Sequence, residues 1–104
     1  KVFTLYVGTG QPGAKDRLLL ILRNHFESFT VISGEGYFRG AAEPMWFVKV
    51  ATPEHQKVFD TAEEIRSALN QDVVGIEYQN HYYRYTETDR GSALLKLLAT
   101  EESP

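Results

Sequence analysis

The order of apolar periodicities limits this chain to very few folds. "KVFTLYVG" alternates Phe3, Leu5 and Val7 with Val2, Thr4 and Tyr6, the two-residue period of a strand that is apolar on both faces. "TGQPG" breaks that period with two glycines and a proline. In "AKDRLLLILRNHF" Leu18, Leu22 and Phe26 recur every four residues and Leu19 widens the stripe, which predicts an amphipathic helix lying on something flat. "SFTVIS" is a second strand, rich in β-branched residues. "MWFVKVA" is a third, with Trp46, Val48 and Val50 facing one way and Met45, Phe47 and Lys49 the other. "TPEHQKVFDTAEEIRSALN" is a second helix, with Thr52 as N-cap and Pro53 at its first position. Val58, Ala62, Ile65 and Leu69 mark its buried face. "VVGIEYQNHYYRY" closes the series as one long aromatic strand.

The order βαββαβ predicts an α+β, ferredoxin-like domain, an antiparallel sheet with both helices on one face. A chain of 104 residues with 42% hydrophobic content supports one such core, placed at 1–86. Residues 87–104 form a tail in which Leu94, Leu95, Leu97 and Leu98, after a Ser92 cap, suggest a short helix. Two helices cover one face of the sheet, yet the strands offer apolar residues to both. A sibling subunit is the simplest cover for the second face, so an oligomer is expected.

Cysteine is absent, which excludes disulfides, thiolate metal sites and thiol nucleophiles. Lys and Arg number 11 against 14 Asp and Glu, a formal charge of −3, so the basic stripe of a nucleic-acid binder is missing. No run approaches the roughly 18 apolar residues of a membrane span, and no signal-peptide pattern opens the chain, so a cytoplasmic location is expected. His25, His55 and His81 lack metal-ligand spacing, and surface or capping roles suit them. "YVGTGQPGAKD" has glycines between strand and helix but neither the GxGxxG spacing nor the Gly-Lys-Ser/Thr ending of a phosphate loop. "YQNHYYRY" could stack a base, or meet another subunit as tyrosine clusters do.

"GEGYFRGAAEPMW", residues 34–46, is longer than a hairpin connection needs and concentrates the candidate chemistry. Three glycines permit sharp bends or close ligand approach. Tyr37 and Phe38 supply stackable surface, Arg39 a donor fork suited to a carboxylate, and Glu43 an anion beside rigid Pro44. A decorated hairpin with a solvated glutamate fits the same residues.

From about Val2 to Tyr85 the chain resembles the small bacteriophage-encoded enzymes that degrade S-adenosylmethionine (SAM), called SAM hydrolases and later SAM lyases. The landmarks are "GYFR" in the hairpin, Glu43 before the third strand, and "QDVV" (Gln71, Asp72, Val73, Val74) entering the last strand. It is also similar in βαββαβ order to trimeric PII signalling proteins, without their long loop. The resemblance implies a PII-like homotrimer and cleavage of SAM to 5′-methylthioadenosine and homoserine lactone in an intersubunit pocket. Neither cofactor nor metal is implied, and the partners are the small-molecule substrate and the sibling subunits. It implies Glu43 as the catalytic anion and Gln71 as a second polar contact. Tyr37 and Phe38 would lie beside the adenosine, while Arg39 would either touch the substrate carboxylate or hold a structural salt bridge. It further implies a host-cell role in depleting the methyl donor against restriction. A PII-like nucleotide sensor or a protein-interaction module are the alternatives.

Overall fold

The central strand β1 (Val2–Gly8) is the spine of a five-stranded antiparallel sheet in the computed structural model, which describes residues 1–86 apart from the Phe38 side chain. It is followed by α1 (Ala14–His25), β2 (Thr30–Phe38), β3 (Ala41–Ala51), α2 (His55–Ala68), β4 (Val73–Tyr78) and β5 (His81–Thr86). The strand order is β2-β3-β1-β4-β5. The first four strands have the ferredoxin-like arrangement and β5 extends it by a hairpin. The helix expected within 87–104 lies outside the described residues.

Register sorts the side chains onto two faces. Phe3, Leu5 and Val7 pair with Val50, Val48 and Trp46 on one side of β1, and Phe3 and Leu5 with Tyr78 and Ile76 on the other. These residues face the helices, and Phe3, Leu5, Val7 and Val48 are fully buried. Ala14, Leu18, Ile21 and Leu22 of α1 and Val58, Ala62 and Ile65 of α2, with Leu69 just beyond it, close over them. Leu18 and Leu22 match the expected stripe, and Phe26 is buried as the residue that ends α1. Each fully buried Val, Leu, Ile or Phe among them contributes on the order of 1.5–3 kcal/mol by leaving water.

Three boundaries differ from the sequence expectation. The segment 34–46 is no loop: β2 and β3 stay paired from Thr30↔Lys49 out to Phe38↔Ala41, joined by Arg39 and Gly40 with φ of 51° and 80°. Two successive left-handed residues make the tight turn whose twist suits a hairpin, and Gly40 takes that conformation without steric cost. The final aromatic run is likewise two strands, folded at Gln79 and Asn80 with φ of 49° and 67°. Finally, α2 starts at His55 with Glu54 as N-cap. The Thr52 hydroxyl instead accepts from the Glu54 amide at 3.1 Å, across the bend at Pro53.

Candidate functional site

Gly8, the last residue of β1, is the meeting point of two sequence-predicted residues. A Cβ built on Gly8 would lie 2.9 Å from Gln71 Oε1 and 3.1 Å from Glu43 Oε1. Glu43 comes from β3 on one flank and Gln71 from the turn before β4 on the other, so a single chain brings both oxygens over the same bare backbone. Glu43 is exposed, Gln71 half-buried and Gly8 buried.

Each partner is positioned by local chemistry. Pro44 follows Glu43 in β3, and its carbonyl accepts from the Thr9 amide at 3.1 Å, tying the base of the ribbon to the end of β1. Gln71 is placed by the way α2 stops. Leu69 is the C-cap and Asn70 turns left-handed with φ 52°. The Gln71 amide then donates to Arg66 O at 2.9 Å and the Asn70 amide to Ser67 O at 3.2 Å, the bond pair of a Schellman motif with asparagine in the usual glycine position. Arg66, half-buried and paired with Glu63 at 2.8 Å, also donates to Gln71 O at 3.4 Å. The Gln71 side-chain amide donates to Leu69 O at 3.4 Å, which turns Oε1 toward Gly8. Among the described residues no donor reaches the Glu43 carboxylate. Two acceptors therefore converge on one space, an arrangement that suits a cationic N–H donor.

The other expected site residues lie elsewhere. Tyr37 pairs with Ala42, one register step from the Gly36↔Glu43 pair, and therefore points to the opposite face of the ribbon. It is 70% exposed and its hydroxyl donates to Glu35, which raises its pKa above the usual tyrosine value. Within the protomer it is not beside Glu43. Arg39 sits in the turn at the ribbon tip. Phe38 ends β2, and its side chain lies outside those described.

The hollow bordering Glu43, lined by Gly34, Glu35, Ala42 and Pro44, holds about 200 Å³. Ligand pockets for molecules of nucleoside size run from about 300 Å³ upward. A larger cavity of about 500 Å³ lies at the far end of the helices, among His25, His55, Lys57 and Asp60, and contains none of the expected site residues. Nearby, His25 Nε2 stands 2.7 Å from Glu64 Oε2 and links α1 to α2. Among the described residues no group of acids and histidines could hold a metal ion.

The face of the sheet away from the helices carries Tyr6 at its centre. Its ring meets Phe47 and Tyr82 edge-on, each at a centroid distance of 5.4 Å. Glycines clear the way for these side chains, which lie flat across the strands. Side chains at Gly34, Gly36 and Gly75 would run into Phe47, Met45 and Tyr82 respectively. The Tyr6 hydroxyl donates to Glu77, and that bond, with burial and the negative charge of Glu77, pushes its pKa up to about 12. One cross-strand row on this face runs Thr30, Lys49, Thr4, Glu77, Tyr82, with a cation on one side of β1 and an anion on the other. Val2 at 60%, Ile32 at 44% and Tyr82 at 58% exposure are apolar surface on the same face.

Sequence reasoning did not single out Gly8 or Tyr6. Their shared parity in the first alternating run, the parity that faces away from the helices, was the available signal.

With the geometry in place, the molecule can be set beside known structures. It matches a solved structure described as a phage SAM lyase in the apo state, with a TM-score of 0.51 and 17% identity over 82% of this chain and 87% of that one. At that identity the likeness shows a common fold. No family model and no curated protein sequence matches this chain.

Proposed function

We propose that this protein is a SAM lyase. The observation that carries the reading is the convergence of Glu43 and Gln71 oxygens over Gly8, in a fold shared with a phage SAM lyase. SAM bears two cationic centres, the sulfonium and the α-ammonium, and a pair of unfilled acceptors suits the ammonium. With the amino-acid end held there, the substrate's own carboxylate attacks the carbon bonded to sulfur. A C–O bond forms and the C–S bond breaks. The electron pair passes to sulfur, giving neutral methylthioadenosine, and the lactone of homoserine keeps its ammonium. No water needs activating and no metal or cofactor takes part. Orientation supplies most of the acceleration, since well-aligned intramolecular reactions reach effective molarities of roughly 10⁵–10⁸ M.

Glu43 is exposed at the edge of the sheet, which leaves an adenosyl group with little to enclose it in one copy, so a neighbouring protomer is the proposed complement of the pocket. The open sheet face suits that neighbour. Its apolar rings need cover, and the Lys49 and Glu77 positions allow the cation of one copy to meet the anion of the next. Such a head-to-tail contact closes into a ring, with a homotrimer as the proposed form. Residues 1–86 carry the catalytic unit, which would act on the SAM pool of a host cytoplasm. Among the described residues no helix is long and apolar enough to cross a membrane.

The test is to incubate the purified protein with SAM and resolve the products. Methylthioadenosine with homoserine lactone is the expected outcome. Directly formed homoserine would mean hydrolysis, and unchanged bound SAM would mean a sensor. Glu43→Gln keeps the shape and removes the charge. Loss of one charge-assisted hydrogen bond, about 1.5–3 kcal/mol, predicts a fall in kcat/KM of roughly 10- to 100-fold. Unchanged methylthioadenosine release by that variant would refute the assignment.

A further inference from the structure

We infer that Gly8 is a positioning residue that sets the specificity of the site for a primary ammonium group. The identity of the ligand rests on the lyase reading above; the geometry is independent of it. Gly8 does not owe its place to backbone conformation, because its φ lies outside the left-handed region where Gly13 and Gly40 sit. What requires glycine is space. The point a Cβ would occupy is already hemmed by Gln71 Oε1 at 2.9 Å and Glu43 Oε1 at 3.1 Å.

A methyl group there would drive the two oxygens apart. Both belong to the far ends of flexible side chains, whereas the backbone of β1 is held in register by β3 as far as Gly8. The side chains therefore give way and the sheet does not. An ammonium nitrogen needs acceptors at about 2.7–3.2 Å, and its hydrogens can engage two oxygens only when these aim at a common space. Bare backbone at residue 8 lets a carboxylate from one neighbouring strand and an amide oxygen from the approach to the other do so.

Two ligands isolate this contribution. S-adenosylhomocysteine keeps the amino-acid end but has a neutral thioether and does not react. Its analogue with hydrogen in place of the amino group lacks only the ammonium. Calorimetric Kd values for both are measured on wild type, Gly8→Ala and Gly10→Ala, the last having no atom within 4 Å of its added Cβ.

Wild type and Gly10→Ala are expected to bind the amino-bearing ligand at least about tenfold more tightly, as one charge-assisted hydrogen bond warrants. In Gly8→Ala that preference should collapse toward unity while the Kd of the deaminated analogue and the thermal midpoint stay close to wild type. A preference retained in Gly8→Ala overturns the inference, as does equal weakening of both ligands, which marks a structural role. SAM turnover by the same wild-type preparation separates the two proposals. Turnover with an unaltered preference in Gly8→Ala sinks the inference alone. Absent turnover with the expected collapse sinks the lyase reading and leaves the ammonium site. Binding of neither ligand overturns both.

Discussion

Substituting alanine for Gly34 tests whether the open sheet face is packed as described. The new Cβ would run into Phe47 Cε2 and stand 3.2 Å from Cζ and 3.3 Å from Cδ2, inside the 3.5–4.0 Å of an ordinary carbon contact. Phe47 is a stiff ring in edge contact with Tyr6 at 5.4 Å, so displacing it also disturbs its neighbour. Overpacking costs roughly 1–3 kcal/mol and the lost ring pair about 0.5–1.5 kcal/mol. Replacing glycine returns roughly 0.4–1 kcal/mol by narrowing the unfolded ensemble. The balance is a destabilisation of about 0.5–4 kcal/mol. Urea denaturation should show a lowered midpoint at unchanged slope, and the thermal midpoint should fall by roughly 4–8 °C per kcal/mol for a domain near this size. Gly10→Ala is the matched control and should be neutral or slightly stabilising. If Gly34→Ala is as stable as that control, the reasoning about glycine clearance beneath Phe47 is wrong.

Two further outcomes concern the same face. Tyr6, with its pKa raised from 10.0 to about 12, should ionise after the exposed tyrosines in a tyrosinate absorbance titration, with Tyr6→Phe removing the late step. Because the folded state favours the neutral phenol, its contribution to stability is complete below pH 10 and disappears as pH rises through about 12. Glu77→Gln should move the late step back toward 10, and a titration of Tyr6 together with the surface tyrosines would contradict the Glu77 bond. Ile32→Asp, which places a charge among the exposed apolar residues, should shift the mass measured by sedimentation from an oligomer toward the protomer. A wild-type protein that sediments as a protomer would refute the proposed sibling contact.

The order of the first six elements was legible because their cores carry clear apolar periods, and strand parity alone separated Phe3, Leu5 and Val7 from Thr4 and Tyr6. The hairpin β2–β3 was obscured by Gly34 and Gly36, which read locally as breakers. Their reason is a clearance for Phe47 and Met45, residues that only register brings opposite. The split between β4 and β5 was hidden for the converse reason. Gln79 and Asn80 adopt left-handed backbone without glycine, in the middle of an aromatic run that looks continuous. Glu43 and Gln71 could be named through resemblance, but not their meeting. That depends on the end of β1, the passing strand β3 and the turn before β4 meeting at one level, and no spacing along the chain encodes it. Tyr37 shows the same limit: next to Gly36, the residue paired with Glu43, it is turned away by the one-residue alternation of a strand.

The Thr9–Pro44 bond marks where the ribbon parts company with the body of the sheet. Outward of it β2 and β3 have only each other, and a lone two-stranded arm is marginal in water. The distal half of the arm therefore has no third strand to stiffen it, while Glu43, at the root, keeps its bearing from β1 through the neighbouring Pro44 carbonyl. Sequence drift toward the tip can alter the arm's length and surface without misaligning the carboxylate, so the arm's reach and the anion's aim are free to evolve apart.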